Sequence, residues 1–148
     1  MENESECYSC QAMRGERRLS PGPMIYRGHF WHIEHAYPCG MVGWLVLVLN
    51  RHAATLHELS EAEFEELAAL QYKAVQNLHR KTDSLKEYTV CFAEAPHFNH
   101  IHFHIIARLK NAPDNLKGTG IFAMIKPDVT PVPPQLIEQF CIELSQEF

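Results

Sequence analysis

Long hydrophobic runs and an excess of positive charge are both missing from this sequence. No stretch approaches the roughly 18 consecutive apolar residues that suggest a transmembrane helix, and the longest apolar run, Trp44–Leu49, has the length of a strand. The formal net charge of −5 disfavours an extended electrostatic contact with nucleic acid or with an anionic membrane. A small nucleotide needs only a local site, so it stays a possible ligand.

A cysteine pattern typical of disulfide-bonded proteins is missing as well. The five cysteines are odd in number and irregularly spaced, at positions 7, 10, 39, 91 and 141, so a disulfide framework is not expected. The polar, acidic N-terminus, MENESECYSC, does not resemble a secretory signal. The reducing cytoplasm is therefore the predicted compartment.

The order of the predicted elements indicates a single domain over residues 1–148 with an α+β fold. Residues 1–23 are predicted to be an N-terminal extension, residues 24–109 the core, and residues 110–148 a C-terminal loop and helix. Ser60 and Glu63 form a capping box that starts a long helix running to about residue 80. The other predicted elements are strands within 24–34 and at 44–49, 87–93 and 100–109, and a C-terminal helix at 135–146. They favour a largely antiparallel sheet of about five strands.

The long helix is predicted to bury one apolar face, because six apolar residues recur along it at helical spacing. These residues are Phe64, Leu67, Ala68, Tyr72, Val75 and Leu78.

Three histidines alternate with apolar residues in the stretch HFNHIHFHIIA, residues 97–107. On a strand, His100, His102 and His104 would share one face, with neighbours about 6.6–7 Å apart. The intervening apolar residues would then face the core. Three interpretations fit this row: an exposed polar face, a cluster of metal ligands, or nucleophilic catalysis in which an imidazole attacks phosphorus.

Residues 100–106, HIHFHII, match the motif of the histidine triad (HIT) family at all seven positions, His-φ-His-φ-His-φ-φ with φ apolar. Residues 38–52, which end in WLVLVLNRH, resemble the family's preceding strand and turn. The helix that begins at Ser60 lies where the family has its helix. The resemblance covers about residues 7–109.

This resemblance implies a HIT-like fold and an enzyme that hydrolyses or transfers nucleotidyl groups. The family's substrates include nucleoside phosphoramidates and dinucleoside polyphosphates. His102 would be the nucleophile that forms a nucleotidyl-histidine intermediate, and His104 would position phosphate oxygens or orient His102. Family members often dimerise through the long helix and a strand, so a homodimer is expected.

A C-x-x-C motif, Cys7-Tyr8-Ser9-Cys10, is by itself half a zinc site or a redox pair. In zinc-containing relatives, such a motif joins two histidines, which correspond by position to His52 and His100. The resemblance therefore implies a closed, structural Cys2His2 zinc site that would attach the N-terminal extension to the core.

The sequence departs from the family pattern at two places. The segment before the triad lacks the family's asparagine, glutamine and Ser or Thr, and His97 stands at the Ser or Thr position. His97 is predicted either to protonate the leaving group or merely to line the loop. At the ribose site the family has an aspartate three residues before a proline; His35 stands there before Pro38, with Glu34 beside it. Glu34 and His35 are the predicted substrate-binding residues, together with His104.

These departures keep two other functions open. The first is a zinc-stabilised nucleotide-binding or scaffold protein without turnover. The second is a hydrolytic metal site formed by all three histidines, in which metal binding would not depend on Cys7 and Cys10.

Overall fold

The computed structural model describes residues 3–148. Residues 1 and 2, the start of the predicted N-terminal extension, lie outside the described residues. The helices are α1 (Tyr8–Met13), α2 (Glu61–Thr82) and α3 (Pro134–Ser145), and the strands are β1 (Tyr26–Arg27), β2 (Trp31–His35), β3 (Trp44–Leu49), β4 (Lys86–Val90) and β5 (His102–Arg108). Short 3-10 helices cover Leu56–Glu58, Asp114–Leu116 and Gly118–Ile125.

The five strands form one antiparallel sheet in the order β1-β2-β3-β5-β4. This confirms the predicted α+β fold with an antiparallel sheet. The apolar run of β3 lies at the centre, between β2 and β5, and most of its residues are buried. Such a strand carries apolar residues on both faces because both faces are covered.

Helix α2 begins and ends where the sequence predicts. The Ser60 hydroxyl accepts a hydrogen bond from the Glu63 backbone N–H (3.2 Å), and the Glu63 carboxylate accepts one from the Ser60 N–H (2.8 Å). The helix ends at Thr82, and the φ of 51° at the next residue, Asp83, lies in the left-handed region that stops helices.

The buried face of α2 differs from the predicted one, because most of the buried positions lie about one residue before the predicted positions. Leu67 and Leu78 are buried, but Phe64 is 41% exposed and Tyr72 68% exposed. The buried stripe contains Glu63, Leu67, Leu70, Ala74, Asn77 and Leu78. Apolar periodicity missed this stripe because two of its members are polar and find partners inside the protein.

Strand β5 begins at His102 rather than at residue 100. The Ile101 N–H donates to the Ala53 carbonyl (2.8 Å), and the Ile101 carbonyl accepts from Leu49 (3.2 Å), so the chain before β5 pairs with the end of β3 and the turn after it. His100 therefore lies outside the regular strand. Both terminal segments also hold helices that were not predicted, namely α1 and the 3-10 helices after residue 113. Within residues 3–148, no helix is both long and apolar enough to cross a membrane.

Candidate functional site

Two rows of side chains cross the sheet on the face opposite α2. In register, His104 pairs with Val46 and Val46 with Glu34, while His102 pairs with Val48. Directly opposite residues of paired strands share a face, so His102, His104 and Glu34 face the same side. A cavity of about 660 Å³ lies there, and all three of these side chains line it.

His102 is held in a single tautomer by the backbone. Its Nδ1 lies 2.7 Å from the carbonyl oxygen of His100, which can only accept a hydrogen bond. Nδ1 therefore carries the proton, and Nε2 keeps its lone pair. Burial lowers the pKa of His102, so the ring is neutral near pH 7. A neutral imidazole with a fixed, free lone pair is suited to nucleophilic attack.

His104 is held in a defined tautomer by a tryptophan. The Trp44 indole Nε1–H donates to His104 Nδ1 at 2.9 Å, and an indole N–H can only donate. The neutral His104 ring must then carry its proton on Nε2, where it is a hydrogen-bond donor. Burial and the neighbouring His102 lower the pKa of His104 to about 3. The two rings lie 4.9 Å apart between centroids. Trp44 was not among the predicted site residues, because its contact depends on the strand register.

Four side chains from three distant segments converge beside this cavity: Cys7, Cys10, His52 and His100. His100 Nδ1 lies 3.4 Å from Cys7 Sγ, 3.6 Å from Cys10 Sγ and 3.2 Å from His52 Nδ1. Cys10 Sγ lies 3.4 Å from His52 Nδ1. Around a tetrahedral zinc, sulfur–nitrogen distances are about 3.6 Å and nitrogen–nitrogen distances about 3.3 Å. The four side chains therefore fit a tetrahedral zinc ion.

His100 belongs to this cluster rather than to the row of His102 and His104. It is fully buried, and its Nε2 lies 2.7 Å from the Leu49 carbonyl, so Nδ1 is the nitrogen with a lone pair. A backbone carbonyl that fixes a ligand's tautomer in this way is typical of metal-binding histidines. The arrangement gives no support to one metal shared by all three histidines of the triad.

The two predicted ribose-site residues both line the cavity, but as neighbours on β2 their side chains point to opposite faces of the sheet. Glu34 lines the cavity and is partly exposed. The His35 side chain is buried: its Nδ1–H donates to the Ala36 carbonyl (2.8 Å), and its Nε2 accepts from the backbone N–H groups of Gly43 and Trp44 (2.9 and 3.2 Å). Both ring nitrogens are used inside the protein, so His35 holds a turn and has no hydrogen bond to offer a ligand.

His97 lies at the N-terminal segment rather than on the cavity wall. Its ring stacks on Tyr8 with centroids 4.4 Å apart, and its Nδ1 lies 3.2 Å from the Glu6 carbonyl. Its own carbonyl accepts from the Tyr8 N–H at 2.9 Å. This placement favours a role in attaching α1 and gives no support to the predicted role as an acid.

An ion pair between the half-exposed Arg51 and a buried carboxylate holds the turn that carries His52. The Glu63 carboxylate, 4% exposed, receives two hydrogen bonds from the Arg51 guanidinium, at 2.7 and 3.0 Å. Arg51 also donates to the Glu58 carbonyl at 2.8 Å. The hydrogen bonds from Arg51 are the main cause that lowers the pKa of Glu63 to about 2. The start of α2 is thereby tied to the residue next to a predicted metal ligand.

The sequence matches a family model over most of its length. Residues 6–117 match the family model described as scavenger mRNA decapping enzyme C-term binding. No curated protein sequence matches the chain significantly.

Solved structures with a similar fold include three histidine triad proteins. A hypothetical histidine triad nucleotide-binding protein from Sulfolobus tokodaii is 18% identical, with 95% of this chain and 92% of that chain covered and a TM-score of 0.69. A Hit-like protein involved in cell-cycle regulation from Bartonella henselae is 12% identical (94% and 93% covered, TM-score 0.69). A Zn-bound histidine triad family protein from Mycobacterium smegmatis is also 12% identical (99% and 100% covered, TM-score 0.67). At these identities the similarity shows a shared fold.

Proposed function

The chain belongs to the histidine triad family, within the superfamily of nucleotide-binding hydrolases and transferases, and from this we propose that it transfers a nucleotidyl group through His102. The substrates would be nucleoside phosphoramidates or dinucleoside polyphosphates, and the acceptor water or another nucleophile. The observation that carries the proposal is the hydrogen bond from His102 Nδ1–H to the His100 carbonyl (2.7 Å), which leaves Nε2 as the nucleophilic nitrogen beside a large cavity.

The reaction has two displacements at the same phosphorus atom. First, the Nε2 lone pair forms a bond to phosphorus, and the bond from phosphorus to the leaving group breaks. The leaving group keeps the electron pair and takes up a proton from solvent. Second, a water oxygen attacks the phosphorus, the nitrogen–phosphorus electron pair returns to Nε2, and the water gives up a proton. The products are a nucleoside monophosphate and the protonated leaving group.

Two further side chains of the cavity would bind the substrate. His104, held by Trp44, presents Nε2–H as a donor to a phosphate oxygen, where charge grows in the transition state. The Glu34 carboxylate can accept hydrogen bonds from both ribose hydroxyls. A buried neutral imidazole would offer at most one acceptor, and that of His35 is already occupied.

Cys7, Cys10, His52 and His100 would hold a structural zinc ion. Four protein ligands complete a tetrahedral coordination shell, so such an ion stabilises the fold and leaves no position for substrate. The cluster would also attach α1 to the core next to His102, which links metal binding to the shape of the cavity.

The proposal includes a homodimer in the cytoplasm, formed through the outward face of α2. Phe64 and Tyr72 expose large apolar surfaces there. Sedimentation velocity on the wild type should give a dimer, and Tyr72→Glu should give a monomer. Leu136→Glu, at an exposed apolar position of α3, is the matched control and should stay dimeric.

The decisive experiment is intact-protein mass spectrometry after rapid, acid-free quenching of a reaction with adenosine phosphoramidate. The wild type should gain one adenylyl mass and release AMP, and His102→Ala should do neither. His57→Ala, which removes an exposed histidine, is the control and should behave as the wild type. Turnover by His102→Ala would refute the mechanism. A wild type that binds AMP without adduct or turnover would instead support the binding-protein alternative.

A further inference from the structure

Ser9 is a buried hydroxyl for which the protein supplies no partner. The residue is 4% exposed and lines the cavity that contains His102 and His104. Within residues 3–148, the Ser9 hydroxyl makes no hydrogen bond to another residue. Buried hydroxyl groups are nearly always hydrogen-bonded to protein, water or a ligand. Ser9 lines a cavity large enough for a nucleotide, so a molecule bound there would supply that partner.

The metal cluster fixes the position of Ser9 relative to the triad. Ser9 lies between Cys7 and Cys10, whose Sγ atoms are 3.4 and 3.6 Å from His100 Nδ1. The carbonyl of the same His100 accepts from His102 Nδ1–H. Aromatic contacts join the same parts: the Tyr8 ring meets Phe98 edge to face at 5.5 Å, and Phe98 meets His102 at 6.5 Å. These contacts connect the segment that carries Ser9 to the one that carries His102.

Other donors also line the cavity, among them two arginines and two tyrosines. The Arg17 guanidinium lies 3.6 Å over the Tyr8 ring and donates to Gln11, and Arg18 donates to the carbonyls of Ser20 and Gly22. The loop before the triad, residues 94–99, reads EAPHFN and contains no hydroxyl. Among the described residues that line the cavity, Ser9 is the one with an aliphatic hydroxyl. His104 is placed to contact a phosphate oxygen, so the leaving atom needs a different donor.

We propose that Ser9 Oγ–H donates a hydrogen bond to the leaving atom of the substrate, the nitrogen or oxygen that departs from phosphorus. This inference rests on the proposed function. Negative charge accumulates on the departing atom as its bond to phosphorus breaks, so the hydrogen bond is stronger in the transition state than in the bound substrate. The hydroxyl keeps its proton, and no covalent bond to Ser9 forms. The zinc-binding motif would thus supply a substrate contact from Ser9, one of the two residues between its cysteines.

The test compares two substrates with different leaving groups. They differ in how much hydrogen-bond stabilisation the departing atom needs. Adenosine phosphoramidate has a poor leaving group, and the p-nitrophenyl ester of AMP has a good one. Ser9→Ala should lower kcat/KM for the phosphoramidate by about 10- to 100-fold and for the ester by about threefold or less. Ser9→Thr, which restores the hydroxyl, should recover most of the loss. Zinc content and melting temperature should be unchanged in both variants.

Two outcomes would overturn the inference. An equal loss on both substrates, or a loss accompanied by released zinc, would show that Ser9 acts through the fold. Unchanged turnover of the phosphoramidate by Ser9→Ala would show that the hydroxyl does not contact the leaving atom.

Failure of the proposed function itself would look different, because the wild type would then turn over neither substrate. Ser9 remains testable in that case by calorimetric titration with intact adenosine phosphoramidate. Ser9→Ala should weaken binding by about threefold to tenfold through loss of one hydrogen bond. Unchanged affinity would overturn the inference.

Discussion

Trp44 is the residue whose replacement most sharply tests how the two cavity histidines are prepared for catalysis. Its indole N–H is the partner of His104 Nδ1 at 2.9 Å, and the side chain is fully buried. Trp44→Phe keeps an aromatic ring but removes this donor. His104 Nδ1 is then left without its partner, and the ring is free to place its proton on Nδ1. In that tautomer, Nε2 no longer donates to the phosphate.

The losses of stability and of activity in Trp44→Phe can be estimated from the groups involved. An unpaired buried acceptor and a smaller ring should together destabilise the fold by about 2–4 kcal/mol. Loss of a well-placed donor to phosphate should lower kcat/KM by about 10- to 100-fold, which corresponds to about 1.4–2.7 kcal/mol of transition-state stabilisation. Most of this loss should appear in kcat. AMP release from adenosine phosphoramidate gives the rate constants, urea denaturation gives the stability, and nitrogen-15 NMR reads the His104 tautomer directly.

Trp31→Phe is the matched control. Trp31 is also fully buried, and its Nε1–H donates to a carbonyl, that of Glu63, at 2.8 Å. It lies on the opposite face of the sheet, away from the cavity. Trp31→Phe should therefore lose comparable stability and keep the wild-type kcat. The reasoning is refuted if both variants lose activity equally, or if wild-type His104 carries its proton on Nδ1.

Three further predictions concern the ion pair, the ribose site and the metal cluster. Glu63→Gln keeps the helix cap but loses the charge opposite Arg51, so it should cost about 2–3 kcal/mol at pH 7. Because the pKa of Glu63 is about 2 against an ordinary 4.5, the wild type's advantage is complete above pH 4.5 and should disappear as the pH falls through 2, as followed by urea denaturation. Glu34→Gln should weaken AMP binding by about tenfold in calorimetry, since an amide has one acceptor oxygen; unchanged affinity would remove Glu34 from the ribose site. Cys10→Ser should lose bound zinc by elemental mass spectrometry and lower the melting temperature, and full zinc content in that variant would contradict the proposed ligand set.

The sequence predicted most of the fold because its local signals agree with one another. The capping box at Ser60 marked the start of α2, and the apolar run at residues 44–49 marked the central strand. The family resemblance then brought His52 and His100 together with the C-x-x-C motif, and the four side chains do converge. The helix and the strand were predicted from spacing along the chain, and the cluster from the family resemblance.

The parts that the sequence did not predict depend on register and on contacts between distant segments. Trp44 reaches His104 because β3 and β5 pair with Val46 opposite His104, and no local pattern specifies that pairing. The same register puts the Glu34 side chain on the cavity face, while the ring nitrogens of its neighbour His35 have partners inside the protein. The buried face of α2 was misplaced because Glu63 is polar in isolation and becomes compatible with burial only beside Arg51.

The cluster of two cysteines and two histidines also has a consequence for the unfolded chain. Cys7 and His100 are 93 residues apart in sequence, so an ion bound to both closes a loop of most of the polypeptide. A cross-link around a loop of this length removes about 4.6 kcal/mol worth of chain entropy from the unfolded ensemble at 25 °C, if the ion stays bound on unfolding. The ion would then act as a cross-link in the unfolded chain. It would restrict how far residues 7 and 100 can separate before any secondary structure has formed.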